Sequence, residues 1–221
     1  MSSTTAWPLS EIEASSADLV EPVRRRLSWL VEHPREHARF LNTLSMMEHI
    51  GSRKIMASQT RGPLGRDVLK HLAEETRHAF FFKKAAETLA RQPLDYGEQE
   101  TIRPASARIY FGRLDAAIAA SLGPETHVEV PYLYVSLTVE LRAIWTYRLY
   151  HSVLEERPRG LSLKSVLAEE ELHLEQMLQR LQQLNAAPAI HVPVFAGLED
   201  RLFRTLWSAL EGACAAQPRA A

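Results

Sequence analysis

Cysteine is almost missing from this chain: Cys214 is the only one in 221 residues. An intramolecular disulfide is thereby excluded, and so is any Cys-x-x-Cys zinc or rubredoxin-type iron site. Nothing approaches the ~18 uninterrupted apolar residues of a membrane-spanning helix. The start, Met1-Ser2-Ser3-Thr4-Thr5, has neither a basic cluster nor an apolar run, so no signal peptide is expected and a cytoplasmic location is. Charge of one sign is not in excess either. Lys and Arg number 26 against 27 Asp and Glu, a net charge of −1, which gives no general pull toward nucleic acid or an anionic membrane. Arg24-Arg25-Arg26 is the one tight basic cluster and reads as the wet side of an amphipathic helix. What is left is ordinary for a globular protein, 46% apolar and 24% charged, with enough chain for one domain and a substantial core.

Strand-like alternation is absent, while apolar residues recur at spacings of three and four, so the chain reads as all-α. Residues 1–221 are expected to form a single domain with a core bundle over about 35–186. Breaks fall at Pro and Gly. The pattern predicts helices over about 19–32, 35–59, 66–91, 104–122, 131–155 and 197–215, and another that begins between Pro158 and Leu161 and ends near Asn185. Residues 92–100 read as a loop and Ala186 to Ala196 as a polar crossover. The helix over 197–215 carries Leu198, Leu202, Leu206 and Leu210 on one side. It either caps the bundle or meets a second subunit in a homodimer.

Leu72-Ala73-Glu74-Glu75-Thr76-Arg77-His78 recurs 95 residues later as Leu167-Ala168-Glu169-Glu170-Glu171-Leu172-His173. Each copy holds a Glu-x-x-His, Glu75/His78 and Glu170/His173. Residues three apart share one helix face, so carboxylate and imidazole can grip one metal ion. A lone glutamate precedes each copy: Glu48 by 27 residues and Glu140 by 30. Both stand among apolar or small neighbours, Met46, Met47 and Ile50 for one and the run from Tyr134 to Val139 for the other. Six ligands, four of them carboxylates, balance two divalent ions. Glu48 and Glu140 are expected as terminal ligands, Glu75 and Glu170 as bridges, and His78 and His173 as one imidazole for each ion. Which terminal glutamate joins which histidine is left open. The adjacent Glu74 and Glu169 read as solvent-facing.

The spacing also passes a hairpin test. Midway between Glu48 and Glu75 lies residue 61, where Arg61-Gly62-Pro63 forces a turn; each arm is then about 13 residues or ~20 Å long. Midway between Glu140 and Glu170 is residue 155. The obvious breakers are Pro158 and Gly160, so either the turn lies at Glu155-Glu156-Arg157 with Pro158 in the next helix, at the cost of Gly160 inside that helix, ~1 kcal/mol against Ala, or the third bundle helix carries a local bulge. Around the six, Tyr147, Asp67 and His71 are candidates to support the ligands, as imidazole ligands usually require. Ser45, Gly51, Ser52 and Ala143 either leave room for a substrate or let helices pack closely. Phe80-Phe81-Phe82 reads as core or pocket wall. His33, His37, His49, His127 and His191 show no ligand spacing.

The order Glu, Glu-x-x-His, Glu, Glu-x-x-His over residues 35–186 resembles the ferritin-like superfamily of dinuclear carboxylate proteins. That resemblance implies an antiparallel four-helix bundle with flanking helices. The intervals look more like the oxidase and oxygenase branches than ferritins. The helix between the hairpins looks like the aldehyde-deformylating oxygenases and the tRNA-modifying hydroxylases. Rubrerythrins carry a cysteine-ligated iron module that this chain cannot build. The resemblance implies two iron ions, with manganese or a mixed pair also compatible, and oxidation of an organic substrate by dioxygen. Electrons would come from an external donor, since no flavin or ferredoxin motif is visible. The alternative is metal handling: ferroxidase activity, iron storage or peroxide removal.

Overall fold

The computed structural model describes residues 3–58, 65–157 and 160–215. Among them every regular element is helical: α1 Ser3–Ser15, α2 Val20–Glu32, α3 Pro34–Ser58, α4 Arg66–Ala90, α5 Pro104–Ser121, α6 Val130–Glu156, α7 Lys164–Gln183 and α8 Pro188–Ala215, with a 3-10 turn at Ala17–Leu19. None of these helices is long and apolar enough to cross a membrane. The α3 and α4 helices pack along each other, as do α6 and α7, and α4 meets α7 while α3 meets α6. Buried apolar side chains from all eight helices form one cluster, from Leu9 and Ile12 on α1 to Phe203 and Trp207 on α8.

The helices begin and end where local chemistry dictates. Pro34, Pro104, Pro131 and Pro188 stand in first turns, where the missing N–H removes no helical hydrogen bond. Arg91 at the end of α4 and Arg103 before α5 both adopt left-handed backbone. The intervening loop is tied to α3. Asn42 donates to the carbonyls of Asp95 (2.7 Å) and Glu100 (2.8 Å), and Thr43 Oγ1 accepts from the Ile102 amide at 2.7 Å. This pins α5 beside the hairpin although the loop has no apolar pattern of its own.

On the far side, Arg142 of α6 is buried and ties down α8 and the chain after α1. It donates to both Glu199 carboxylate oxygens at 2.8–3.0 Å and to Ser16 Oγ at 2.9 Å. Tyr110 of α5 donates to Glu199 at 2.7 Å. A buried carboxylate shared by two helices fixes how they dock, because any other register leaves an uncompensated charge.

Three boundary expectations need correction. The α1 helix was not predicted. Its Ser- and Thr-rich sequence with Pro8 inside carries little periodicity, and tertiary burial of Leu9 and Ile12 accounts for it. The last helix starts at Pro188 rather than at residue 197 and takes Pro193 into its interior. Burial of Val192 and Phe195, with His191 stacked on Phe195, offsets the lost hydrogen bond. Gly160 is not in a helix; its φ is +71°, a left-handed conformation that suits glycine. Glu140 precedes the end of α6 by 16 residues and Glu170 follows the start of α7 by 6, a height difference of ~15 Å. Leu163, just before α7, is fully buried. The expected turn at Arg61-Gly62-Pro63 and Pro158 lie outside the described residues.

Candidate metal centre

Four helices send titratable side chains to one interior point. On α4, His71, Glu75 and His78 occupy positions i, i+4 and i+7, a single stripe. On α7, Glu170 and His173 occupy i and i+3. The α3 and α6 helices add Glu48 and Glu140. All seven are at most 9% exposed. They fall into two groups, Glu48, Glu75, His78 and Glu170, and His71, Glu75, Glu140 and His173. Within each group every residue offers one donor atom, and these atoms lie within 4.8 Å of one another. Glu75 belongs to both groups, and both histidines reach Glu170. His78 Nδ1 is 3.0 Å from Glu170 Oε1 and His173 Nδ1 is 3.0 Å from Oε2. The pairing left open in the sequence is thus Glu48 with His78 and Glu140 with His173.

Glu75 Oε1, His78 Nδ1 and Glu170 Oε1 are buried without any hydrogen-bond partner. The last two sit 3.0 Å apart, yet out of hydrogen-bonding alignment. Buried polar atoms rarely stay unpaired. Atoms that crowd together without bonding are what a cation between them would require. The donor set of carboxylates and imidazoles suits iron or manganese, so the residues fit a dinuclear metal group.

The outward nitrogens of the two ligand histidines are held across the helix pair. His78 Nε2 of α4 meets Glu169 of α7 at 2.7 Å, and His173 Nε2 of α7 meets Glu74 of α4 at 2.9 Å. The first glutamate of each repeated Glu-Glu-x-x-His therefore grips the histidine of the other copy. This overturns the solvent-facing reading of Glu74, which is 9% exposed, and of Glu169, which is half-buried. Because the two helices lie side by side, a residue next to the ligand face still reaches the neighbouring helix. Arg77 bonds Glu169, and Lys70 lies 3.5 Å from Glu74, so the outer carboxylates have their own counter-charges. Such partners fix ring orientation and raise ligand basicity.

Electrostatics follow the crowding. Burial raises the Glu48 and Glu140 carboxyls well above the usual range, and the charges of Glu75 and Glu170 add to it. Glu170 is raised by burial and by Glu75. Burial opposes ionisation of Glu75 too, but His71, His78 and His173 around it win and hold it low. His78 resists protonation through burial, yet Glu170 beside it lifts it to about 10; Glu140 and Glu75 lift His71 to about 12. Four acids and two shifted imidazoles this close together titrate as a coupled set.

No protein-family model matches this chain, and no curated protein or solved structure matches it either. The site therefore rests on its own geometry.

Two cavities reach the centre from different sides. A polar one of about 590 Å³ runs past Asp67, His127, Glu129 and Arg180 to Tyr132, His71 and His173. A smaller apolar one of about 90 Å³ touches Glu48, Glu75 and Glu140, and is walled by Phe40, Leu44, Phe111, Val139, Phe203 and Trp207. Gly51 lines it as well, and a Cβ there would lie 3.2 Å from Glu75 Oε2.

Of the supporting residues expected, Tyr147 donates its hydroxyl to Glu48 Oε1. His71 reaches the centre itself. Asp67 is exposed on the polar cavity wall, not against a ligand. Ser45 serves close packing, bonding the Ala79 carbonyl at 2.7 Å. Phe82 is fully buried, but Phe80 is 65% exposed and belongs to neither core nor pocket; it falls on the far side of a helix whose stripe is set by His71, Glu75 and His78. What the sequence reading missed is His71 as part of the centre and the Glu74 and Glu169 exchange. The signal was present: the repeat includes the first glutamate of each copy, and His71 lies one turn before Glu75.

Proposed function

We propose that this chain is a ferritin-like oxidase or oxygenase, in which α3, α4, α6 and α7 form an antiparallel four-helix bundle around two metal ions. The supporting observation is the pair of buried four-donor groups joined through Glu75. Four carboxylates in one interior point carry the charge of two divalent cations, and no buried Lys or Arg among the described residues lies within salt-bridge distance of Glu48, Glu75, Glu140 or Glu170. Iron is the metal the reading favours. When bound, two reduced iron ions supply the electrons that activate dioxygen toward an organic substrate, with an external donor to restore them.

The protein's own residues do the rest. Glu74 and Glu169 hold the imidazoles so that each presents Nδ1 inward. Tyr147 holds Glu48 from the apolar side. The apolar cavity beside Glu48, Glu75 and Glu140 is the place for substrate, because oxidation there proceeds away from bulk water. Arg142, Tyr110 and Tyr147 of its wall are already engaged: Arg142 and Tyr110 bond Glu199, and Tyr147 bonds Glu48. A substrate carboxylate or phosphate would find no free cation among these groups, so the site takes a neutral, apolar molecule.

Metal analysis of chain expressed in iron-replete cells, with anomalous scattering at the iron and manganese edges, tests the first step. Two ions per chain are expected. Anaerobic Fe(II) loading followed by oxygen should give a new visible absorbance. Protein that holds no pair of ions, or a pair that is inert to oxygen, defeats the reading. Metal handling is the second reading, and the wide polar cavity leading to His71 and His173 favours it. In that case Fe(II) would be oxidised repeatedly and accumulate as ferric oxide with no organic substrate present.

A further inference from the structure

We propose that His71 is a seventh protein ligand, so that the two metal positions differ: one has a single imidazole, the other two. The inference rests on the dinuclear reading above and goes beyond the six-ligand set read from the repeat and the glutamate that precedes each copy.

Three observations carry it. First, His71 is 6% exposed and its ring lies 4.2 Å from that of His173, centroid to centroid. Second, its outward nitrogen is already held: Nδ1 meets the Tyr132 hydroxyl at 3.0 Å, which turns Nε2 toward the centre. Tyr132 stands to His71 as Glu74 and Glu169 stand to His173 and His78, so all three imidazoles have an outer partner and one inward nitrogen. Third, the inward distances suit a shared cation better than a hydrogen bond. Nε2 is 3.4 Å from Glu140 Oε1 and 3.5 Å from Glu75 Oε1. A charge-assisted N–H···O bond closes to about 2.7–2.9 Å. Two donors each about 2.1 Å from one ion stand about 3.0 Å apart at a right angle and about 3.4 Å apart at a tetrahedral one.

The consequence is an asymmetric pair. Glu48, Glu75, His78 and Glu170 give one ion three carboxylates and one imidazole. His71, Glu75, Glu140 and His173 give the other two carboxylates and two imidazoles. Imidazole favours the later first-row ions, whereas carboxylate suits manganese. The position beside His71 should therefore fill first with cobalt or iron, and the position beside Glu48 should be the more tolerant of manganese.

Cobalt(II) titration of the full chain tests this. The wild-type chain should bind two Co(II), and its paramagnetically shifted proton spectrum should show three exchangeable imidazole N–H signals. Tyr132→Phe should leave all three signals and move one. His71→Ala should weaken one of the two Co(II) sites at least tenfold and remove one signal, with added imidazole restoring the site. Two bound ions with only two imidazole signals in the wild-type chain overturn the seventh ligand and leave the dinuclear reading intact; this holds even if the variant fails to fold. A wild-type chain that binds fewer than two ions overturns both. His71→Ala with two Co(II) bound at unchanged affinity and unchanged visible absorption makes His71 a positioning group for Glu140 and ends the proposal.

Discussion

Gly51 offers a test in which stability and metal affinity should move in opposite directions. It lies inside α3, a helix of 25 residues, one turn beyond Glu48. Glycine in a helix interior costs about 1 kcal/mol against alanine, so Gly51→Ala should stabilise metal-free protein. For a chain of this size that is a rise in Tm of about 2–4 °C. An added Cβ, however, would meet Glu75 Oε2 at 3.2 Å, closer than ordinary van der Waals contact. Glu75 cannot recoil freely, because His71, His78 and His173 crowd its other oxygen at 3.5–4.0 Å. The carboxylate common to both groups must then shift by a few tenths of an ångström, more than the ~0.2 Å tolerance of a metal–ligand distance. A tenfold loss of affinity, about 1.4 kcal/mol, is the expected size. Thermal melts of metal-free protein and competition titration with a chromophoric chelator measure the two effects separately. Higher Tm with weaker metal binding is the outcome expected. If affinity is unchanged or improved, the close approach of α3 to Glu75 is not what keeps glycine at this position.

Other perturbations have defined signs. Glu74→Gln and Glu169→Gln should each weaken metal binding by about 10- to 100-fold, while Glu171→Gln, which loses only a half-exposed pairing with Arg148, should not; equal losses at all three in the same titration would assign the effect to surface charge. Metal uptake should release protons. Glu48, Glu140 and Glu170 are raised, and His71 and His78 are raised to about 12 and about 10. All five hold protons more tightly in the empty centre than in free solution, and an ion must displace them, so affinity should rise with pH across the neutral range. An indicator dye in weak buffer reads the release, and affinity that is flat between about pH 6 and 8 would contradict it. Glu199→Ala should destabilise the chain by about 3–5 kcal/mol in urea denaturation, because it leaves Arg142, 4% exposed, with Ser16 and the more distant Asp200 carboxylate in place of its close acid partner; a loss below 1 kcal/mol would mean that α8 docks by apolar contact alone.

The residues that converge were legible because holding a metal would impose a spacing that the sequence displays. Glu-x-x-His marks a helix face, and the midpoint rule placed Glu48 and Glu75 at one height without any structural input. The resemblance built on that spacing carries the oxygenase reading, which stays a proposal. The second hairpin was harder. Its helices differ in length on either side of the converging residues: 16 residues of α6 follow Glu140, but only 6 of α7 precede Glu170. Spacing sees separation along the chain and not how much of it is helical. Glu74 and Glu169 were misread for a related reason. Helical periodicity places them beside the ligand face, which for one helix in isolation is water. For two helices packed together it is the neighbour, and the repeat of Leu-Ala-Glu-Glu in both copies is the imprint of that exchange.

The apolar cavity shows the limit of periodicity most clearly. Its floor of carboxylates comes from α3, α4 and α6, but Phe203 and Trp207 of its wall come from α8. The leucines at 198, 202, 206 and 210 announce an apolar face without saying what it meets. What decides is Arg142, two residues beyond Glu140 on the same helix, whose guanidinium lies 4.0 Å from the Phe203 ring centre while bonding Glu199. One helix thus aims the Glu140 carboxylate at the cluster of acids and imidazoles from one side and a cation at α8 from the other. The residue that seats the wall of the pocket is tied by helix geometry to a residue of the centre. Loosening Arg142 should therefore alter the shape of the apolar cavity before it alters any metal binding, since Glu140 keeps its place 3.4 Å from His71 Nε2.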